Sequence, residues 1–219
     1  MTKKILKVLV IGDTHDSPDI PDKSRFGWFA KHIRKSKPDI VVQIGDFVTL
    51  DSCTHYIRDD SYTAKIEKPI FMKDMESMDS AMEEFNYHLK DFKIKKYLTL
   101  GNHEKRMFRK EDSNPTFYGM CQKEFFGNCK KYDWQVIPYG KYLMLGGVGF
   151  IHAPINPMGK EYGGEASERQ VANKSKIDIV FGHSHRAQDN RVAKISPIPN
   201  DFTRIINVGC AMPHNHIES

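Results

Sequence analysis

Short apolar runs, several of them ending at a glycine, divide the chain. Residues 4-KILKVLVI-11, 39-DIVVQIG-45 and 95-KKYLTLG-101 read as three strands. The second run lacks strict polar alternation, as expected of a parallel strand covered on both faces. Between the first two, residues 22–36 carry Phe26, Phe29, Ala30 and Ile33 at helical spacing among charges. This β-α-β opening argues for a layered α/β fold. In the region 51–95, Met72, Met75, Met82, Phe85 and Leu89 recur at helical intervals. They predict an amphipathic helix of about 15–20 residues whose Met-rich face belongs to the core. Residues 104–131 are charged and aromatic, with short helical stretches broken at Asn114-Pro115.

After residue 134 the pattern turns β-rich. Strands are expected at 134-WQVIP-138, 141-KYLMLG-146 and 148-VGFIH-152, with hairpin turns at Tyr139-Gly140 and Gly146-Gly147. A short helix near 165–174 precedes a strand at 177-IDIVFG-182, and further strands are expected at 190–196 and 203–208. The 219 residues suit one domain, 1–219, with helical insertions at 51–95 and 104–131.

Composition narrows the class. Hydrophobic residues at 39% and charged residues at 28% fit a globular chain rather than a disordered one. Lys7 interrupts the first apolar run, so it does not read as a signal peptide, and no run reaches the ~18 apolar residues of a membrane span. A cytoplasmic location, away from membranes, is the expectation. Cys53, Cys121, Cys129 and Cys210 form no C-x-x-C and read as reduced thiols. A net charge of +5 permits an anionic substrate without identifying nucleic acid as a partner, and nothing in the chain sets an oligomeric state.

The chemistry lies at the strand ends. Gly12-Asp13, Gly45-Asp46, Gly101-Asn102 and Gly182-His183 each place a potential ligand directly after a strand, and a further strand runs into His152. Sites in α/β sheets gather beyond the carboxyl ends of strands, and glycine lets neighbouring loops approach. Asp13, His15, Asp46, Asn102, His152, His183 and His185 can therefore converge. Folding gains nothing by gathering imidazoles and carboxylates at one edge, because buried polar groups are costly without partners. A metal would supply those partners.

The ordered set 13-DTH-15, 45-GD-46, 101-GNHE-104, His152 and 182-GHSH-185 resembles the calcineurin-like metallophosphoesterase superfamily, with its pattern D-x-H, G-D, G-N-H-E/D, H and G-H-x-H. The resemblance implies a four-layer α-β-β-α sandwich with two mixed sheets and two metals where the sheet edges meet. By motif, Asp13, His15, Asp46 and His185 resemble the ligands of one metal. Asp46, Asn102, His152 and His183 resemble those of the other, with Asp46 as the bridge. His103 matches the histidine assigned as general acid or transition-state contact.

Two divalent ions about 4 Å apart can clamp a phosphoryl group and hold a bridging hydroxide for in-line attack, with no phosphoenzyme. His103 would protonate the leaving oxygen. Mixed imidazole and carboxylate ligands suit Mn²⁺, Fe, Zn²⁺ or Ni²⁺ better than Ca²⁺; manganese is preferred on the resemblance. Asn102 and Arg106 are candidates for holding the substrate phosphate, Arg106 alternatively being a helix-surface cation. Arg186 is a weaker phosphate candidate, and Glu104 reads as support for its loop.

The second block departs from the protein-phosphatase branch. Its G-D-x-V-D-R-G is 45-GDFVTLD-51 here, with Thr49 where that branch has an aspartate, and with no arginine. Asp51 does not match the aspartate's spacing. His32 and His88 read as ordinary helix histidines and the H-x-H in 213-PHNHIES-219 as tail, while His55 follows the second block and could approach the site without being counted in it. The expected function is a metal-dependent phosphoesterase acting by direct water attack, leaning to phosphodiester or nucleotide substrates. A nuclease of the same superfamily and a non-catalytic metal-binding scaffold are the alternatives.

Overall fold

The computed structural model describes residues 5–54, 70–164 and 166–214. Its first sheet contains β1 (Val8–Ile11), β2 (Ile40–Gln43), β3 (Lys95–Thr99) and β4 (Trp134–Ile137), all parallel and in the order β1-β2-β3-β4. Four helices fill the crossovers: α1 (Ser24–Ser36), α2 (Phe71–Leu89), α3 (Lys105–Ser113) and α4 (Met120–Lys131). Right-handed crossovers that always step in one direction put their helices on one face of the sheet. The other face is left for a different cover, and the second sheet supplies it.

That second sheet is mixed. It holds β5 (Leu143–Leu145), β6 (Val148–Phe150), β7 (Ile179–Phe181), β8 (Ala187–Ala193) and β9 (Phe202–Val208) in the order β5-β6-β7-β9-β8. One more helix, α5 (Ser167–Lys174), packs on its outer side. Three apolar clusters lie between the four layers. Phe26, Ile33, Val41, Met78, Leu98 and Phe125 belong to the layer between the first sheet and its helices. Val42, Ile44, Phe150 and Val180, with Val8 and Val10, lie between the sheets. Val171, Phe181 and Ile205 lie under α5. Neighbouring β2 residues serve different clusters, Val41 the helix side and Val42 the sheet side, as the period of two requires.

The four-layer α/β expectation holds, with one difference: the first sheet is wholly parallel rather than mixed. The Tyr139-Gly140 turn is not a hairpin, because β4 and β5 belong to different sheets. Hydrophobic alternation marks strands but not which partner a strand takes. Gly146-Gly147 does close a hairpin: Leu145 faces Val148 across two residues of positive φ. Met72 points out of the core at 49% exposed, while Met75, Met78 and Met82 are buried. The penultimate strand starts earlier than its composition suggests, at Ala187. Among the described residues, no helix is long and apolar enough to cross a membrane.

At their carboxyl ends the two sheets are tied together. Asp13, just past β1, bridges Cys210, just past β9, and Ala211 N–H donates to Asp13 O at 2.7 Å. Phe125, from α4, is fully buried in the helical layer. Phe125→Ala should lower unfolding free energy by about 3–5 kcal/mol, measured by urea denaturation; a loss below about 1 kcal/mol would show that this layer collapses around the cavity.

Candidate metal centre

The loops after β1 and β2 hold each other before any ligand is considered. Thr14 and His15 N–H groups donate to Asp46 O at 3.1 and 2.9 Å, and Thr14 Oγ1 donates to Phe47 O at 2.9 Å. Gln43, buried at the end of β2, donates to the carbonyls of Gly12 and Gly45 and accepts from Gly45 N–H. His15, Asp46, His183 and His185 all have positive φ, between 42° and 71°. Left-handed backbone at four non-glycine residues is uncommon and persists only where the surroundings enforce it. Here all four belong to the groups of Asp and His side chains that gather at the strand ends.

Asp46 Oδ2 faces three imidazoles. It lies 3.2 Å from His152 Nε2, 3.7 Å from His15 Nε2 and 4.0 Å from His103 Nε2. Its other oxygen accepts His103 N–H at 2.9 Å. Asn102 Oδ1 stands 2.9 Å from both His152 Nε2 and His183 Nδ1. On the other side, His185 Nε2 is 2.9 Å from His15 Nε2 and 3.6 Å from Asp13 Oδ2. Three groups thus present converging donor atoms: Asp13 with His15 and His185; Asp46 with His152 and His183; and His15 with Asp46 and His103. All seven expected ligands, and His103, meet at one end of the sandwich.

The close approach of these loops needs glycine. A Cβ on Gly101 would strike Asp46 Oδ1, and one on Gly182 would strike Asp13 Oδ1. Gly101 and Gly182 thus give clearance to the two carboxylates.

The donor set fits divalent cations. Asp13 Oδ1 is buried with no hydrogen-bond partner, and to carry charge there it needs a cation beside it. Burial, with Asp46 nearby, pushes the Asp13 pKa up to about 8 against the pull of His152. Burial also opposes charge on Asp46, but His152, His103 and His15 outweigh it and hold the pKa below the ordinary carboxylate value. At His152 burial disfavours the imidazolium, yet Asp46 and Asp13 raise its pKa to about 10. The carboxylates therefore draw positive charge to this spot. His15 is lowered to about 3, chiefly by burial, which leaves it a neutral donor. No cysteine belongs to these groups among the described residues.

His103 and Arg106 form a side wall. His103 Nδ1 donates to Thr49 O at 2.7 Å, and Arg106 Nη1 donates to the same carbonyl at 3.0 Å. Arg106 Nη2 lies 3.1 Å from His103 Nε2, and Nη1 lies 3.4 Å from Asp51. Thr49 thus orients His103 through its main chain, and Asp51 meets Arg106 instead. Arg186 donates to Gly164 O at the surface. His32 stacks on Trp28 and His88 pairs with Glu84, as expected of ordinary helix residues. His55 and most of the terminal H-x-H lie outside the described residues.

Sequence reasoning missed a supporting set behind the GHSH turn. Glu168 accepts from Ser184 Oγ and Asn207 Nδ2, and Asn207 Oδ1 accepts Gly209 N–H. Asp16, next to the first block, is bound by Lys23, Arg25 and Ser77. Its position beside 13-DTH-15 was the one available signal; Glu168 and Asn207 had none.

Residues 6–187 match the family model of calcineurin-like phosphoesterases. The chain belongs to that family. Its members generally hydrolyse phosphate esters with bound metal, in keeping with the clustered Asp and His groups of this phosphoesterase. No curated protein matches the chain. Among solved structures, TT1561 of Thermus thermophilus aligns at 7% identity and a TM-score of 0.37, over 94% of this chain and 90% of that one.

Glu104 of the phosphoesterase carries out the loop-supporting role expected of it. Oε2 accepts N–H bonds from Asp46 (3.0 Å) and Gly101 (2.7 Å); Oε1 accepts from Phe47 (2.8 Å) and Val48 (3.2 Å). Burial and the Asp46 charge push its pKa up to about 7, but four N–H donors leave no acceptor for a proton, so the anion is the form the loops need. Glu104→Gln should therefore cost about 2–3 kcal/mol in chemical denaturation. An unchanged midpoint would show that a neutral group serves as well.

Proposed function

We propose that this phosphoesterase hydrolyses a phosphodiester or nucleotide, using two divalent cations, manganese by preference. Asp13, His15, Asp46 and His185 would hold one; Asp46, Asn102, His152 and His183 would hold the other. The carrying observation is Asp46 Oδ2, which faces His15 and His152 from one buried oxygen, so that a single carboxylate links both ligand groups. When bound, two such ions offset phosphoryl charge and supply an activated water.

The chain's own residues account for the rest. The Nδ1 of His103 is committed to Thr49 O, so Nε2, facing the cluster, is the nitrogen that would carry a proton to the leaving oxygen once the Arg106 N–H now directed at it turns to the phosphate. Arg106, 3.1 Å from that nitrogen, would then hold a phosphate oxygen. Asn102 Oδ1 faces His152 and His183, and its amide nitrogen is the donor end for the phosphate. The diester preference rests on the second block: a main-chain carbonyl, not an aspartate, holds His103, and the mild positive charge suits an anionic substrate.

Two substitutions separate binding from chemistry. Asp46→Asn should leave the protein with less than one manganese per chain after reconstitution, by elemental analysis; full occupancy of both sites would remove Asp46 from the bridge. His103→Ala should keep both ions and lower kcat on a bis-ester about 10²–10⁴-fold. Loss of metal in that variant would reassign His103 as a ligand.

A further inference from the structure

The loop after β6 brings an acidic side chain to the far side of a cluster histidine. Glu161 Oε2 lies 3.6 Å from His183 Nε2, while His183 Nδ1 faces Asn102 Oδ1 at 2.9 Å. The two nitrogens of an imidazole point to opposite sides of the ring, so Glu161 and the ligand cluster address different edges of His183. The other Glu161 oxygen accepts the hydroxyl of Tyr139, and Lys105 Nζ sits 4.2 Å over the Tyr139 ring. The main chain here is also held. Glu161 bridges Ile155, Asn156 N–H donates to Lys160 O at 2.8 Å, and Tyr162 N–H donates to Pro154 O at 2.9 Å.

We propose that Glu161 is a positioning residue for the cation site of Asp46, Asn102, His152 and His183, with Tyr139 as its latch. This rests on the two-cation reading above. The Glu161 carboxylate, 3.6 Å from His183 Nε2, places negative charge on that edge of the ring, which favours the tautomer with its proton on Nε2 and leaves the Nδ1 lone pair for the cation. The Tyr139 hydroxyl occupies the second oxygen and holds the carboxylate on its side of the ring. Glu161 thereby supports the histidine without entering the ligand set.

The test is a titration of Mn²⁺ into metal-free protein by calorimetry, with elemental analysis for stoichiometry and metal-free melting as the folding control. The wild type should take up two ions. Glu161→Ala should bind one of them as before and the other about 10–100-fold more weakly. Glu161→Gln, which keeps an acceptor and loses the charge, should fall between. Tyr139→Phe should weaken the same site by less than Glu161→Ala. If Glu161→Ala lowers the metal-free melting temperature, the Tyr139→Phe titration decides, since it leaves the carboxylate in place. Wild-type affinity at both sites in Glu161→Ala, or equal weakening of both, overturns the proposal. A wild type that fails to bind two ions overturns the reading beneath it instead.

Discussion

One buried carboxylate organises this protein. Asp46 has essentially no contact with solvent, yet it remains charged because every side of it is answered. The His103 amide holds one oxygen, three imidazoles face the other, and Glu104 grips its main-chain N–H. Isolated charge at this depth would cost several kcal/mol. The surrounding loops are shaped to avoid that cost, down to the left-handed backbone of Asp46 and the missing Cβ of Gly101.

The fold brings these partners together through handedness and strand order. A parallel sheet that steps steadily from β1 to β4 must carry its helices on one face. The bare face accepts a second sheet, and the carboxyl ends of β1 and β2 then lie beside those of β6, β7 and β9. Asp13 touches Cys210 and the N–H of His183 for this reason, although 170 residues separate Asp13 from His183. The ligands come from both sheets, so the site exists only when the sandwich is closed.

The Asp and His cluster could be read from the chain. Asp13, His15, Asp46, Asn102, His152, His183 and His185 each sit at a strand end, and their order is distinctive. Glu104 was readable as support for its loop, and it holds four main-chain N–H groups there. The supports that sequence did not reveal come from elsewhere: Gln43 from within a strand, Glu161 and Glu168 from segments whose composition is ordinary. Their role depends on a second residue far along the chain, such as His183 or Asn207, and no local pattern encodes that pairing. The Tyr139-Gly140 turn shows the same limit, since a turn signal is local and the choice of sheet is not.

Residue order was enough to mark the side chains that gather at the strand ends, the layered α/β class and the apolar faces of its helices, because periodicity and residue type act over a few neighbouring positions. It took the packed molecule to put Asp46 Oδ2 among three imidazoles, to orient His103 through the carbonyl of Thr49, and to set Glu161 behind His183. Those facts depend on distances of a few ångströms between segments tens of residues apart. Such distances are set by how whole sheets pack, not by any one stretch of chain.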